Sequence, residues 1–157
     1  MRRKVYIETT IPSYLVARPT RDLIVAAHQE LTRQWWSRRR RRFDLFISQF
    51  VLNEASGGQE DLARQRLRFL EGIPLLEAAE AVGDLAEDLV RGGAVAARAA
   101  ADAAHIAVAA VHEMDFLMTW NCAHLANAVT ALKIREVCQS QGYASPEICT
   151  PEELMEG

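Results

Sequence analysis

Apolar residues recur with two different spacings along this chain, and these spacings predict strands and helices in turn. Residues 4–8 (KVYIE) alternate and are rich in β-formers, which favours a first strand. Short apolar runs predict further strands at residues 44–48, 75–78, 116–120 and 147–150. Helical spacing, ended by Gly or Pro, predicts helices at residues 22–40, 49–55, 61–71, 79–91 and 125–141, with one more beginning near Asp102.

The order of these elements indicates the fold class. Strands separated by helices of ten or more residues need crossover connections, and such connections build a parallel sheet. We find no internal repeat and no linker long enough to divide the chain. We therefore expect one α/β domain over residues 1–157: a three-layer α/β/α sandwich with a central, mainly parallel sheet of about five strands.

The stretch from Asp102 to Asn121 predicts where polar residues gather. About twelve helical residues rise roughly 18 Å, and five strand residues return roughly 17 Å. Asp102, in the first helical turn, and Asn121, just after the strand, therefore come back to one edge of the molecule. In open α/β sheets this is the carboxyl edge of the strands, where ligands bind.

Two more acidic residues are expected at the same edge. Glu8 ends the first strand, and Thr10 would share its face if the strand continued. Glu54 lies six residues past the second strand, two helical turns into the helix that leaves this edge. Three carboxylates and one amide thus converge from four segments, although each alone is more often an N-cap or a surface acid.

A cluster of carboxylates indicates a hard cation. Crowded carboxylates repel one another and raise each other's pKa unless a cation binds them. Oxygen ligands without Cys or His at metal spacing favour Mg²⁺ or Mn²⁺. The natural chemistry of such an ion is phosphoryl transfer, because it polarises a phosphate and lowers the pKa of an attacking water.

Composition narrows the setting of the protein. The 157 residues include 50% hydrophobic and 25% charged residues, which is ordinary for a soluble globular domain. The formal net charge of -3 gives no global electrostatic argument for nucleic-acid binding. Three cysteines without metal-site spacing favour a reduced, cytoplasmic location. No signal peptide or membrane-spanning pattern is expected, because charged residues interrupt the apolar runs.

Several segments together resemble a known family. YIETTIPSYL, ISQFVLNE, AADAAHIAVA, FLMTWNCAHLAN and PEICTPEEL look like the motif blocks of PIN-domain nucleases, in the order found in the VapC-like toxin branch. The resemblance implies an Mg²⁺- or Mn²⁺-dependent endoribonuclease that hydrolyses RNA phosphodiester bonds. It also implies a homodimer and the toxin of a type II pair, inhibited by a cognate antitoxin. Glu8, Glu54, Asp102 and Asn121 fall on the four catalytic, metal-binding positions of the family.

Two of these positions depart from the family pattern. Glu8 stands where Asp is usual and is one methylene longer, and Asn121 stands where a fourth Asp is usual. Asn can still ligate a hard ion through its carbonyl oxygen or hold a bound water. Because the site charge falls from about -4 to -3, metal binding should weaken. The alternative is a catalytically impaired PIN-like domain that binds RNA or a protein partner.

The remaining polar candidates have weaker patterns. Thr10 and Thr119 are expected to contact a carboxylate or the substrate, although ordinary strand-end threonines are as common. His105, one turn after Asp102, could orient that residue but more often such a histidine is a hydrogen-bonded packing residue. His124, three residues after Asn121, has even chances of contacting substrate.

A basic run and a pair of tryptophans complete the sequence features. The run at residues 38–42 invites an RNA contact, but it precedes the second strand and so lies toward the opposite, amino edge. We favour a solvated helix end over an RNA or partner contact. Trp35 and Trp36 are adjacent, so we expect one of them to be half exposed.

Overall fold

Five parallel strands form one sheet through the middle of the molecule. The computed structural model describes residues 1–156; Gly157, which the predicted domain includes, lies outside them. The strands are β1 (Arg3–Ile7), β2 (Phe43–Ser48), β3 (Leu75–Leu76), β4 (Phe116–Met118) and β5 (Glu147–Cys149). Their order is β3-β2-β1-β4-β5, and every neighbouring pair is parallel. The predicted α/β class is confirmed.

Helices cover both faces of this sheet. They are α1 (Thr10–Val16), α2 (Leu23–Arg38), α3 (Gln49–Ala55), α4 (Glu60–Leu70), α5 (Glu80–Arg91), α6 (Ala100–Val111) and α7 (Ala128–Ser140). Helix α1 contacts α2 and α4, whereas α5 contacts α6 and α7. Right-handed crossovers place the connections from β1 to β3 on one face and those from β3 to β5 on the other. The predicted three-layer sandwich is therefore confirmed.

The central strand β1 explains why polar groups gather where they do. Val5, Tyr6 and Ile7 are fully buried. The reason is that β1 pairs with β2 on one side and with β4 on the other, and helices cover both of its faces. On the neighbouring strand β4, Leu117 is equally buried. The next residue after β1 is Glu8, which is only 5% exposed. A carboxylate thus stands directly at the end of the most buried strand.

The segment after β4 differs from its predicted form. The strand ends at Met118, and α7 begins at Ala128 rather than at residue 125. The side chain of Asn127 accepts a hydrogen bond from the amide of Val129 and caps the helix. Before that cap, the amides of Leu125 and Ala126 both donate to the carbonyl of Asn121. The residues predicted to open the helix instead form a turn that closes on Asn121.

The expectation that one tryptophan is half exposed is wrong. Trp35 is fully buried and Trp36 is 7% exposed. The ring of Trp35 stacks on Phe43 at the start of β2, with 5.7 Å between centroids. The edge of Phe69 from α4 covers Trp36 at 5.8 Å. Helix α2 therefore buries two adjacent positions, one against the sheet and one against a neighbouring helix.

No helix within residues 1–156 combines the length and the apolar character that crossing a membrane requires.

Candidate metal centre

Glu8 lies at the junction of β1 and α1, and three donors hold one of its oxygens. Its Oε1 accepts hydrogen bonds from the Thr10 amide (3.0 Å), the Thr10 hydroxyl (2.5 Å) and the Thr119 hydroxyl (2.7 Å). The pairing of Ile7 with Met118 brings the residues after β1 and β4 together, and the Glu8 amide donates to the Met118 carbonyl at 3.1 Å. Strand register thus delivers Thr119 to Glu8.

Both threonines also bind the backbone that follows β4. The Thr10 hydroxyl accepts from the Trp120 amide at 2.8 Å, and the Thr119 hydroxyl accepts from the Asn121 amide at 2.9 Å. Each hydroxyl therefore donates to Glu8 while it accepts from the chain leading to Asn121. This arrangement couples the position of Glu8 to that of the β4 end.

Glu54 comes from α3 and is held by a threonine and a histidine. Its Oε1 accepts from the Thr9 hydroxyl at 2.5 Å and lies 2.6 Å from Nε2 of His105. The other ring nitrogen of His105, Nδ1, is 2.7 Å from the Tyr6 hydroxyl, which is 2.7 Å from the Ser48 hydroxyl. A continuous chain of hydrogen bonds therefore runs from the end of β2 across β1 to α6 and α3.

The electrostatics of this chain keep Glu54 ionised. Partial burial acts to raise the pKa of Glu54, but the hydrogen bonds from His105 and Thr9 outweigh it, so the net pKa is lowered. Burial raises the pKa of Tyr6 far above its usual value; the Ser48 hydrogen bond lowers it, and the charges of Glu8 and Glu54 raise it further. Tyr6 is therefore a neutral hydroxyl that can donate within the chain.

Asp102 and Asn121 meet as their segment lengths predict. The Asn121 amide donates from Nδ2 to Oδ1 of Asp102 at 3.3 Å, and its Oδ1 accepts from the backbone amide of His124 at 3.2 Å. Both polar atoms of Asn121 are thus engaged with protein groups. His124 is exposed, and its side chain lies close enough to Asp102 to lower the pKa of that carboxylate.

Asp102 is electrostatically coupled to the rest of the site. Burial raises its pKa above the usual value, and the Glu54 charge raises it further; His124, His105 and the Asn121 hydrogen bond act in the opposite direction without reversing the shift. Glu54 and Asp102 therefore feel each other as like charges. A cation between or beside them would relieve that repulsion.

Part of this donor set has the spacing that a bound metal ion requires. Ligand atoms of Glu8, Glu54 and His105 all lie within 4.8 Å of one another. The hydrogen bonds described above fix Oε1 of Glu8, Oε1 of Glu54 and Oδ1 of Asp102, whereas none of them uses the second oxygen of these carboxylates. One oxygen of each carboxylate is thus held by the protein. This group of residues could hold a metal ion.

The structure therefore divides the predicted site residues into two connected sets. Glu8 and Glu54 lie together with His105, and Asp102 lies with Asn121 one helical turn along α6. Thr10 and Thr119 both contact Glu8, and Thr119 connects the two sets through the Asn121 amide. His124 touches the second set through its backbone.

Three groups were not expected from the sequence. They are Tyr6 and Ser48, which extend the hydrogen-bond chain behind His105, and Thr9, which donates to the Glu54 carboxylate. His105 is one of the predicted candidates, but it contacts Glu54 rather than Asp102. The sequence feature that could have indicated Tyr6 and Ser48 is their position in the carboxyl halves of adjacent strands. A polar side chain buried there must find a hydrogen-bond partner.

Compared with protein-family models and with curated protein sequences, the chain has no match. The PIN-domain resemblance therefore stays a prediction.

Proposed function

We propose that this protein is a divalent-metal-dependent ribonuclease that hydrolyses RNA phosphodiester bonds. The observation that carries the proposal is the gathering of Glu8, Glu54 and His105 within 4.8 Å at the carboxyl edge of the sheet. Asp102 extends this edge with a third carboxylate that the Glu54 charge already affects. Such an edge is where open α/β folds bind their ligands.

The chain's own residues have separate tasks in this proposal. Glu8 and Glu54 would hold an Mg²⁺ or Mn²⁺ ion with the oxygens that their hydrogen bonds leave unused, and Asp102 would complete the carboxylate set. When bound, the ion would supply Lewis-acid polarisation of the phosphate and a lower pKa for the attacking water. Asn121 would orient Asp102 and lower its negative charge density. His105 would hold Glu54 in place.

The narrower assignment rests on sequence resemblance. The motif blocks favour a PIN-like domain of the VapC-like branch, and with it a homodimer and a cognate antitoxin as partners. The cytoplasm is the location that the cysteine usage favours. These are proposals beyond the metal site itself.

Cleavage of RNA by matched variants tests the activity. We expect the wild-type protein to cut single-stranded RNA in Mn²⁺ and not in EDTA. Asp102→Asn should lose at least a hundredfold in rate, because a carboxylate ligand is removed while the volume is kept. The control is Asp84→Asn, which makes the same change at an exposed position of α5 and should leave the rate unchanged. Equal cleavage by wild type and Asp102→Asn removes the assignment.

A second function, an impaired PIN-like domain that binds RNA or protein, has its own support. Asn121 removes one carboxylate from the family pattern, and its amide donates to Asp102 at 3.3 Å, as no Asp could do at neutral pH. The same samples separate the two functions. An impaired domain would bind the RNA, and neither the wild type nor the variant would cleave it in Mn²⁺.

A further inference from the structure

A basic surface forms at the opposite, amino edge of the sheet. Strands β1 and β2 pair with Arg3 beside Phe43 and Lys4 beside Asp44, so the residues that precede both strands are neighbours. Parallel strands lie about 4.8 Å apart. The end of α2 and the 3₁₀ turn Arg40–Arg42 therefore meet the start of β1. We call this surface the amino-edge patch; its members are Arg2, Arg3, Lys4, Arg38, Arg39, Arg40, Arg41 and Arg42.

The amino-edge patch is positively charged, although the chain as a whole has a negative net charge. It contains eight of the chain's 18 basic residues, and the acids that pair with it or line the same surface include Asp44, Glu113 and Asp115. The patch with these acids carries a formal charge of +5 in a chain whose net charge is -3. The remainder of the chain therefore carries -8. A polyanion would be attracted to this edge and repelled by the rest of the surface.

The acids beside the patch do not neutralise it. Arg2 lies 4.0 Å from Asp44 and Arg3 lies 3.4 Å from Asp115, and all four side chains are solvent-accessible. Exposed pairs of this kind interact weakly, and salt screens them. Most of the basic residues in the patch, including Arg38 and Arg41, are exposed. The charges of Arg38 and Arg41 therefore remain accessible to a ligand in solution.

The chemistry of the patch indicates phosphate rather than lipid. Seven of its eight cations are arginines, whose planar guanidinium groups match phosphate oxygens in pairs. Arg40 stacks over the ring of Trp36 at 5.1 Å, and both neighbouring tryptophans are buried. The aromatic groups at this edge are thus turned into the core, where they cannot enter a membrane. A phosphate backbone uses the cations without needing apolar anchors.

The run at residues 38–42 alone favours a solvated helix end, but strand pairing adds Arg2, Arg3 and Lys4 to it. We infer that the amino-edge patch binds the phosphate backbone of RNA, away from the candidate metal centre. The choice of RNA rests on the proposed ribonuclease function, but the cationic surface does not. Strand β1 separates the patch from Glu8 by about 17 Å, the length of five extended residues. Because helices cover both faces of the sheet, an RNA that contacts both edges must pass over these helices, along a path longer than β1 itself.

Salt-dependent binding of a 20-nucleotide single-stranded RNA tests this inference. Fluorescence anisotropy in EDTA measures binding without cleavage. Each neutralised phosphate contributes roughly -0.7 to the slope of the logarithm of the binding constant against the logarithm of the salt concentration. If five phosphates are neutralised, we expect a slope of about -3.5. The triple variant Arg2→Gln, Arg38→Gln, Arg41→Gln should reduce the slope to about -1.4 and weaken binding about a hundredfold at 0.1 M salt.

A charge-matched control separates the patch from net charge. The variant Arg64→Gln, Arg91→Gln, Lys133→Gln removes three exposed cations from α4, α5 and α7 and should bind RNA as the wild type does. Substituting Lys at the three patch positions keeps the charge and should retain the salt slope. Melting curves of all variants show whether each one is folded.

Three outcomes would overturn the inference: no RNA binding by the wild type, equal losses in the patch and control variants, or patch-dependent binding only to phosphatidylserine vesicles. The last outcome would identify an anionic membrane as the ligand. RNA binding is measured in EDTA, without metal. The effect of the patch variants on RNA binding is therefore independent of the effect of Asp102→Asn on RNA cleavage. Either conclusion can therefore fail while the other stands.

Discussion

Nε2 of His105 lies 2.6 Å from Oε1 of Glu54, and this contact fixes the direction of a buried hydrogen-bond chain. Glu54 is ionised above its lowered pKa, so it can only accept, and Nε2 must carry the proton. The other ring nitrogen, Nδ1, pairs with the Tyr6 hydroxyl, which in turn pairs with the Ser48 hydroxyl. This assignment of hydrogens follows from the network. It makes Glu54 the end of a chain anchored in the core.

Removing the Tyr6 hydroxyl should destabilise the protein. Tyr6→Phe leaves Nδ1 of His105 and the Ser48 hydroxyl without their partner in a buried site, which costs about 1–3 kcal/mol. Urea denaturation measures the change in the free energy of unfolding. The control is Tyr143→Phe, at a half-buried position outside the chain, which should change stability by less than about 0.5 kcal/mol. Equal stability of Tyr6→Phe and wild type would show that the chain contributes nothing.

Glu54 and Asp102 should make opposite contributions to stability in acid. The folded pKa of Glu54 is lowered from 4.5, so its contribution is present above pH 4.5 and is lost as the pH falls through the folded value. Glu54→Gln should therefore flatten the fall in stability between pH 6 and pH 3. The comparison is with wild type under the same denaturant series.

The folded pKa of Asp102 is raised from 3.8, chiefly by burial, so ionisation of this residue disfavours the folded state. As the pH falls, protonation of Asp102 in the native protein offsets part of the acid destabilisation. Asp102→Asn removes this compensation and should steepen the fall that Glu54→Gln flattens. Two variants with slopes that change in the same direction would contradict the assigned shifts.

Restoring a fourth carboxylate should have opposite effects with and without metal. In Asn121→Asp the new carboxylate replaces an amide that donates to Asp102 at 3.3 Å, and two like charges then face each other. We expect a lower melting temperature in EDTA and a larger rise on adding Mn²⁺ than in wild type. Differential scanning calorimetry in both buffers measures the two shifts. A Mn²⁺-induced rise no larger than that of the wild type would place this position outside the metal site.

Segment lengths were enough to predict one half of the candidate site. The helix and strand predicted between Asp102 and Asn121 have nearly equal lengths, which brings their ends back to one edge; the observed strand is shorter, but the two side chains are in contact. The same geometry placed Glu8 at the end of β1. These predictions depend on backbone rise per residue, which sequence alone determines once the element types are known.

Side-chain partners could not be predicted in the same way. The sequence favours His105 as a hydrogen-bonded packing residue over one that orients Asp102, and the residue is buried and hydrogen-bonded; its acceptor Glu54, however, reaches it from α3 across 51 residues. The sequence also predicts that one of Trp35 and Trp36 is half exposed, but Phe69 covers Trp36 from a helix whose packing the sequence does not specify. In both cases the partner comes from a distant segment, and its position depends on tertiary packing.

Isothermal titration calorimetry with Mn²⁺ at neutral pH tests most directly whether this edge is a metal centre. We predict saturable binding to the wild type, at least a tenfold weaker association for Glu54→Gln and for Asp102→Asn, and unchanged binding for the surface control Asp84→Asn. No binding heat with the wild type, or equal affinity in all four proteins, would contradict the account.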